Sequence, residues 1–292
     1  MMNKREKRII LIVVLCQFIV NFLSNMITIL LPEISQEFNI SYEMVNWLSI
    51  SFYVAMVAVA IPIANIVSNW GIKKYMKANL FILIAALLLS GFSYDFNMLL
   101  ISRIIHGITF AALAVCLYIL VVTQLDEDSI SIALGFVSSA GYIAVTSAPV
   151  ISSWTSYLTS WRINFLLVII FCIIDYILLF NTELDWHEEK ELNMTGSLLY
   201  ALLMVFFTVG LINLDENWGI VLFGLSIALT VIFIAHEKNS ENKIYNLSLL
   251  KDRKYVIGNF AAFTSYFTTF ILTYIVTLYL EINIKISPQI SD

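Results

Sequence analysis

The chain has 292 residues, 60% of them hydrophobic and 13% charged, and carries a formal net charge of −5; its mean hydropathy is +0.87. Soluble domains run near half apolar and a quarter charged, so this composition excludes a soluble globular protein and predicts an all-α, polytopic membrane protein. Nothing in it indicates nucleic acid. Cys16, Cys116 and Cys172 each fall inside an apolar run without a pairing pattern or metal spacing, so they read as small core residues, and no cofactor or metal is expected.

In chain order, apolar runs of about 17 to 25 residues, long enough to cross hydrocarbon, recur at 8–32, 44–67, 76–94, 99–122, 130–152, 161–180, 195–213, 218–236 and 256–280. They predict nine spans in a tight helical bundle with short connections, the longest being the polar stretch 237–255. A basic flank precedes the first run and no small-residue cleavage site follows it, so it reads as an uncleaved span.

In the first run Gln17, Asn21, Ser24, Asn25 and Thr28 fall at i, i+4, i+7, i+8 and i+11, which places five hydrogen-bonding groups on one helix face. Either that face lines a wet cavity or it glues the helix to its neighbours; a run of five favours the cavity. The fourth run holds an arginine and a histidine. A charge at mid-bilayer costs at least about 2.5 kcal/mol, so such a residue ordinarily faces a bundle interior or a cavity. Arg103, Gly107, Ala111, Ala114 and Tyr118 share one stripe, with His106 nearly on the same side. The alternative, with Arg103 about one turn into the run, is that it snorkels to the headgroups. His106 reads either as a packing residue or as a group that exchanges protons near neutral pH.

The fifth run has a close-packing seam of Ala140, Ala144, Ala148 and Ser152 and a more polar side of Ser138, Ser139, Tyr142 and Thr146. Pro149 is expected to bend or break this helix near its end. Asp175 in the sixth run is the carboxylate set deepest in an apolar stretch, and it reads either as a proton carrier or as a residue near its helix end that reaches water. The ninth run repeats a polar face in Tyr266, Thr269, Thr273 and Thr277.

Orientation follows from the basic residues. With the N-terminus in the cytoplasm, Lys4, Arg5, Lys7, Arg8, Lys73, Lys74, Lys77, Lys190, Lys238, Lys243, Lys251, Arg253 and Lys254 all lie inside, which is thirteen of sixteen. Only Lys285 is clearly outside, and nine spans then place the C-terminus outside. The acidic turn Asp126, Glu127, Asp128 contributes little to this bias.

At Ser160, Trp161, Arg162, Ile163, Asn164 and Phe165 the sequence resembles the major facilitator superfamily, in particular its fourteen-span branch of drug:proton antiporters. Other pieces agree in place: Leu31 and Pro32 ending the first span, Trp47 and Tyr53 opening the second, Arg103 with Gly107 in the fourth, and Pro149 in the fifth. Two further spans follow the sixth, with Asp185 and Trp186, then Asn217, Trp218 and Gly219, and a connector from Leu247 to Lys254 that leads into Asn259. The chain also departs from the pattern. Leu23 stands where the branch has an acidic residue, and Ala64 and Ser68 stand at a glycine and an aspartate of the gate motif, which keeps Gly71, Lys73 and Lys74. His106 replaces a glutamine, and Ala148, Ser152 and Ser153 flank Pro149.

The resemblance implies an N-terminal six-helix transporter half at 1–182, two linker helices and a cytoplasmic connector at 183–255, and the first helix of a second half at 256–292, with five spans absent. It implies a multi-pass plasma-membrane protein that moves small molecules, an efflux permease coupled to protons, in a truncated or split form; sugar uptake is disfavoured, because two spans stand where the sugar-porter branch has a long loop. Coupling or gating falls to Arg103, His106 and Asp175. The cavity wall falls to Gln17, Asn21, Asn25, Thr28 and Tyr142, and the structural motifs to Gly71, Lys73, Gly107, Pro149, Trp161 and Arg162. The expected partners are membrane lipid, protons, a small-molecule substrate, and a second copy or a complementary C-terminal half. The alternative from another class is a non-transporting membrane fragment that occupies another transporter's half. An enzyme is not expected, since neither a phosphate loop nor a Ser/His or His/Asp constellation at helical spacing is present.

Overall fold

A computed structural model describes residues 3–184, 186–188 and 191–283, with side chains through Ser265 and at 267, 268, 271 and 272. Asp185, Lys190, Lys285 and the tail from Ser287 lie outside the described residues, as do the side chains of Tyr266, Thr269, Thr273 and Thr277. Among the described residues there are nine α-helices: α1 Lys4–Phe38, α2 Tyr42–Trp70, α3 Ile72–Gly91, α4 Phe96–Gln124, α5 Glu127–Leu158, α6 Trp161–Phe180, α7 Met194–Ile212, α8 Asn217–Asn239 and α9 Arg253–Asn283. Seven of them are long and apolar enough to cross a membrane by length and composition among the described residues; α3, which opens with Lys73, Lys74 and Lys77, and α9 are not in that set.

Several helices outrun their apolar cores. The first span, expected to end at Pro32, continues to Phe38, so α1 has 35 residues and is ~52 Å long. Pro32, Pro62 and Pro149 all lie inside helices. At Pro149 the helix does not stop near residue 152 but runs on to Leu158. A proline removes one amide donor and frees the carbonyl four residues back, a local loss that a long, well-packed helix tolerates. Starts are set by short polar side chains. Asn3 and Glu6 form a reciprocal capping box on α1, and Ser41, Asp95 and Asn193 accept from the third residue of their helices.

The chain forms two compact units, 1–244 and 245–292. In the first, α1 is the hub and packs on α5, α4, α6 and α2. Helix α4 sits between α2 and α3, α3 closes on α6, and the α7–α8 hairpin docks on α2 through α7. The predicted seam of α5 is where it meets α1: Ala140, Ala144, Ala148 and Ser152 are all buried. Polar ties join α3 to α4, with Ser90 and Ser102 hydroxyls 2.6 Å apart and Asn79 Nδ2 donating to the Thr109 carbonyl at 3.0 Å. The second unit contains a 3-10 turn at Leu247–Lys251 and α9, with the Tyr245 and Tyr255 hydroxyls 3.0 Å apart.

The α2–α3 turn shows why Gly71 stands where it does. Its φ is +78° and ψ 134°, a conformation open to glycine and strained for L side chains. That turn aims the Ile72 amide at the Trp186 carbonyl (3.2 Å), while Glu188 N donates to Ser68 O (3.0 Å), so the connector after α6 is stitched to the α2–α3 junction. A Cβ at Gly71 would meet only Trp186 O, at an ordinary 3.7 Å. Strain rather than crowding therefore sets the cost, and Gly71→Ala is expected to lose about 1–3 kcal/mol in thermal unfolding of the detergent-purified protein. An unchanged midpoint would show that the turn does not need its left-handed glycine.

Candidate functional site

Arg103 is fully buried, which rules out the snorkelling alternative within this bundle. Its Nε donates to the Leu48 carbonyl on α2 at 3.1 Å, and its guanidinium lies 4.4 Å from the centroid of the Phe52 ring. Nη1 and Nη2 have no hydrogen-bond partner among the described residues. Gly107, one turn later, makes this contact possible: a Cβ there would fall 2.2 Å from Phe52 O and 3.0 Å from Ala55 Cβ. Helix α2 therefore touches the α4 backbone, and Leu48, Phe52 and Ala55 present one face to it.

His106 does not share Arg103's surroundings. Its ring stacks on Phe165 of α6, with centroids 5.9 Å apart and planes 18° from parallel. The Ala86 backbone of α3 lies close to the ring, and neither ring nitrogen has a hydrogen-bond partner among the described residues. Three helical residues rotate by 300°, so Arg103 turns toward α2 while His106 turns toward α3 and α6. Unpaired polar atoms buried this way cost about 1–3 kcal/mol each.

The polar stripe of α1 bonds to its own helix. Asn21 Nδ2 donates to Gln17 O at 2.9 Å, Asn25 Nδ2 to Asn21 O at 2.8 Å, and Ser24 Oγ to Asn21 O at 3.1 Å. None of these three bonds crosses to another helix, as glue would require. Gln17, Asn21 and Asn25 are half-buried and Thr28 is exposed. Gln17 and Asn21 lean on α5, where a Cβ at Gly141 would meet Gln17 Nε2 at 3.1 Å and Asn21 Nδ2 at 3.5 Å. Next to Gly141, Tyr142 is 75% exposed, on the same open side as Ser138, Ser139 and Thr146. Leu23 is buried in the core.

Asp175 reaches no water in this fold: it is fully buried between α6 and α1. Oδ2 accepts from the Cys16 thiol at 3.1 Å, and Oδ1 has no partner among the described residues. Cys16, Cys116 and Cys172 are all free and buried. Ser68 is buried too, its hydroxyl donating to Asn65 O of its own helix at 2.8 Å, while Lys73 Nζ donates to the Phe180 carbonyl at 3.3 Å.

The Trp-Arg pair has partners that the sequence reading missed. Glu37 Oε2 accepts from the indole Nε1 of fully buried Trp161 at 2.6 Å and from Arg162 Nη1 at 2.8 Å. Arg162 also donates from Nε and Nη2 to Ser93 O, at 3.2 and 2.7 Å, and stacks 4.2 Å over the Trp161 ring. Glu33 accepts from Ser156 and from the Trp161 amide. Ending α1 at Pro32 hid this knot; the visible signal was two carboxylates four apart just beyond it. Glu37→Ala leaves a buried indole N–H unpaired, so a loss of about 2 kcal/mol is expected in thermal unfolding, with Glu37→Gln recovering part of it. Equal midpoints for wild type and Glu37→Ala would reduce the knot to an exposed ion pair, worth about 0–1 kcal/mol.

The family model of the Major Facilitator Superfamily matches residues 13–290. The probable transport protein HsrA of Haemophilus influenzae is 27% identical over 242 residues, 79% of this chain and 51% of that protein. Multidrug resistance protein 3 of Bacillus subtilis is 23% identical over 236 residues, 76% of this chain and 45% of that protein. The chain thus spans about half the length of these curated relatives. The crystal structure of the human organic anion transporter MFSD10 (TETRAN) superposes with a TM-score of 0.51 at 14% identity, over 71% of this chain and 57% of that one, a likeness of fold. A helical bundle built on a four-neighbour first helix, with a family match over nearly all its length, leads to one conclusion: this chain belongs to the Major Facilitator Superfamily.

Proposed function

We propose that this chain supplies the N-terminal half and linker helices of a proton-coupled efflux permease of the plasma membrane, working as an antiporter on drug-like small molecules. The observation that carries the reading is the α1 stripe: the Asn21 and Asn25 amides bond to their own backbone and stay half-buried, and Tyr142, next to the Gly141 that meets Gln17 and Asn21, is exposed. Polar groups on an open face are costly against lipid, which has no hydrogen bonds to return. The wall formed by Gln17, Asn21, Asn25, Thr28 and Tyr142 therefore faces a complementary set of helices, on this polypeptide or another chain, with the substrate between. Self-association is the form this takes when no such partner is present. Several relatives are named multidrug resistance proteins, which favours drug-like substrates. Charge-bearing buried groups, Arg103 toward α2 and Asp175 against Cys16, are the proposed coupling residues, with His106 between α3 and α6 as a second proton-exchanging group. The basic residues at the start of α1 and the α2–α3 turn favour a cytoplasmic N-terminus.

The test uses the full-length protein in proteoliposomes with an imposed proton gradient. Dye efflux against its gradient is expected from the wild type, and Asn25→Leu is expected to cut it at least several-fold while shifting the unfolding midpoint by no more than about 0.5 kcal/mol equivalent, since among the described residues Asn25 bonds within α1. Wild-type protein without coupled flux would favour the non-transporting reading. Flux unchanged by Asn25→Leu would remove the α1 stripe from the cavity.

A further inference from the structure

At the end of the bundle where α1 begins, cations from two other helices converge on the C-terminal end of α6 and the turn that follows it. Arg8 Nη1 donates to the Asn181 carbonyl at 2.9 Å, Arg5 Nε to the Glu183 carbonyl at 3.2 Å, and Lys73 Nζ to the Phe180 carbonyl at 3.3 Å. Lys77 Nζ sits 4.5 Å above the Phe180 ring. Helix α6 has no basic residue in its own last turn, so these side chains offset the partial negative charge of its C-terminus. A helix end carries only about half a charge. Lys4, Arg5 and Arg8 also border an open cleft of about 320 Å3, together with Asn181, Thr182 and Glu183, and Lys73 and Lys77 stand at Phe180, next in sequence to that lining. Glu183 is the one carboxylate in that lining, against three cations. Glu6 turns away into the Asn3 capping box, and Arg5 Nη2 is held by Gln124.

The depth of this cluster selects its ligand. Arg8 is followed at once by the apolar run of α1, and Lys77 and Phe180 stand at the same transition on α3 and α6. Below Phe180, which is 64% exposed, Ile177, Ile174, Ile173 and Ile170 form an exposed apolar face of α6, flanked on α3 by Phe81 at 70%. A phosphate-bearing anion with two hydrocarbon chains satisfies both parts at once. We propose that this cleft binds the headgroup of an anionic phospholipid, with its phosphodiester among Lys4, Arg8, Lys73 and Lys77 and its acyl chains along the α6 face. A bound lipid would then brace the α1, α3 and α6 ends that the three cation-to-carbonyl bonds already tie together. Basic pockets between spanning helices take anionic headgroups by the same electrostatics.

Native mass spectrometry of the detergent-purified protein, titrated with phosphatidylglycerol and with phosphatidylcholine of matched chains, tests this. Phosphatidylglycerol is expected to be retained preferentially. Lys4→Gln and Lys77→Gln, whose ammonium groups make no hydrogen bond among the described residues, are each expected to weaken retention about fivefold. Arg8→Gln is expected to weaken it further and, by freeing Asn181 O, to lower the unfolding midpoint as well. Lys238→Gln at the end of α8 is expected to change nothing. Equal retention of the two lipids, or an equal loss from Lys238→Gln, would overturn the site in favour of diffuse attraction. Displacement of phosphatidylglycerol by millimolar inorganic phosphate would overturn it in favour of a soluble anion.

Discussion

A chain carrying Gly107→Ala is expected to unfold roughly 6–12 °C below the wild type, corresponding to about 3 kcal/mol of overpacking. The reason lies in which atom the new methyl meets. Its Cβ would sit 2.2 Å from the carbonyl oxygen of Phe52, an atom of a helix backbone that has no rotamer to move away. Helix α2 must then shift as a body, which pulls the Leu48 carbonyl away from Arg103 Nε and the Phe52 ring from under the guanidinium. Trimming the second neighbour should not rescue the fold. Ala55→Gly removes only the 3.0 Å contact, so the double variant is expected to stay near the single one. A midpoint for Gly107→Ala within 1 °C of wild type would mean that α2 and α4 are not in this close contact.

The second large effect separates stability from activity. Arg103→Met is expected to leave the unfolding midpoint unchanged or raise it, while abolishing coupled transport by the full-length protein. Buried among apolar side chains, the guanidinium has one hydrogen bond and one aromatic face in return for its lost hydration, and two of its three nitrogens remain unpaired among the described residues. Replacing such a buried charge with an apolar side chain of similar length is often neutral or stabilising by about 1–4 kcal/mol. The Leu48 carbonyl keeps its place in the α2 ladder, so the substitution orphans nothing. A cost of that kind persists in a protein when the group is used, and the proposed use is coupling. Arg103→Lys keeps the charge but loses the planar stack on Phe52, so most transport should be lost there too. A variant that is destabilised by more than about 2 kcal/mol, beyond the scatter of ordinary substitutions, yet still pumps, would reverse this assignment.

The class of the molecule was legible from composition, and the place of each helix was legible from the length of its apolar run. Hydrocarbon requires every backbone polar group to be satisfied within the segment, which leaves helices as the outcome for runs of this length. The seam of Ala140, Ala144 and Ala148 was readable for a related reason: small residues at every fourth position lower one face of the helix and mark where a neighbouring backbone can approach. The polar stripe of α1 was visible as spacing, and its five members favoured a cavity over glue, but the self-bonding of Asn21 and Asn25 was not visible, because that depends on where each amide finds its acceptor.

Helix ends and side-chain partners were decided by tertiary structure. Pro32 looked like the end of the first span and Pro149 like a bend or a break, yet α1 and α5 run on through them. Past Pro32, Glu33 and Glu37 bond to Ser156, Trp161 and Arg162, and those groups lie more than 100 positions away in sequence. Arg103 and His106 looked like companions on one face, and packing sent one to Phe52 of α2 and the other to Phe165 of α6. Periodicity assigns a residue to a side of its own helix. Which helix stands on that side is set by how the helices of the first unit pack on one another, and no local pattern encodes it. The same limit hid the basic cleft: Arg5, Arg8, Lys73 and Lys77 read as orientation signals in the sequence, and only the meeting of α1, α3 and the end of α6 gives them a common object.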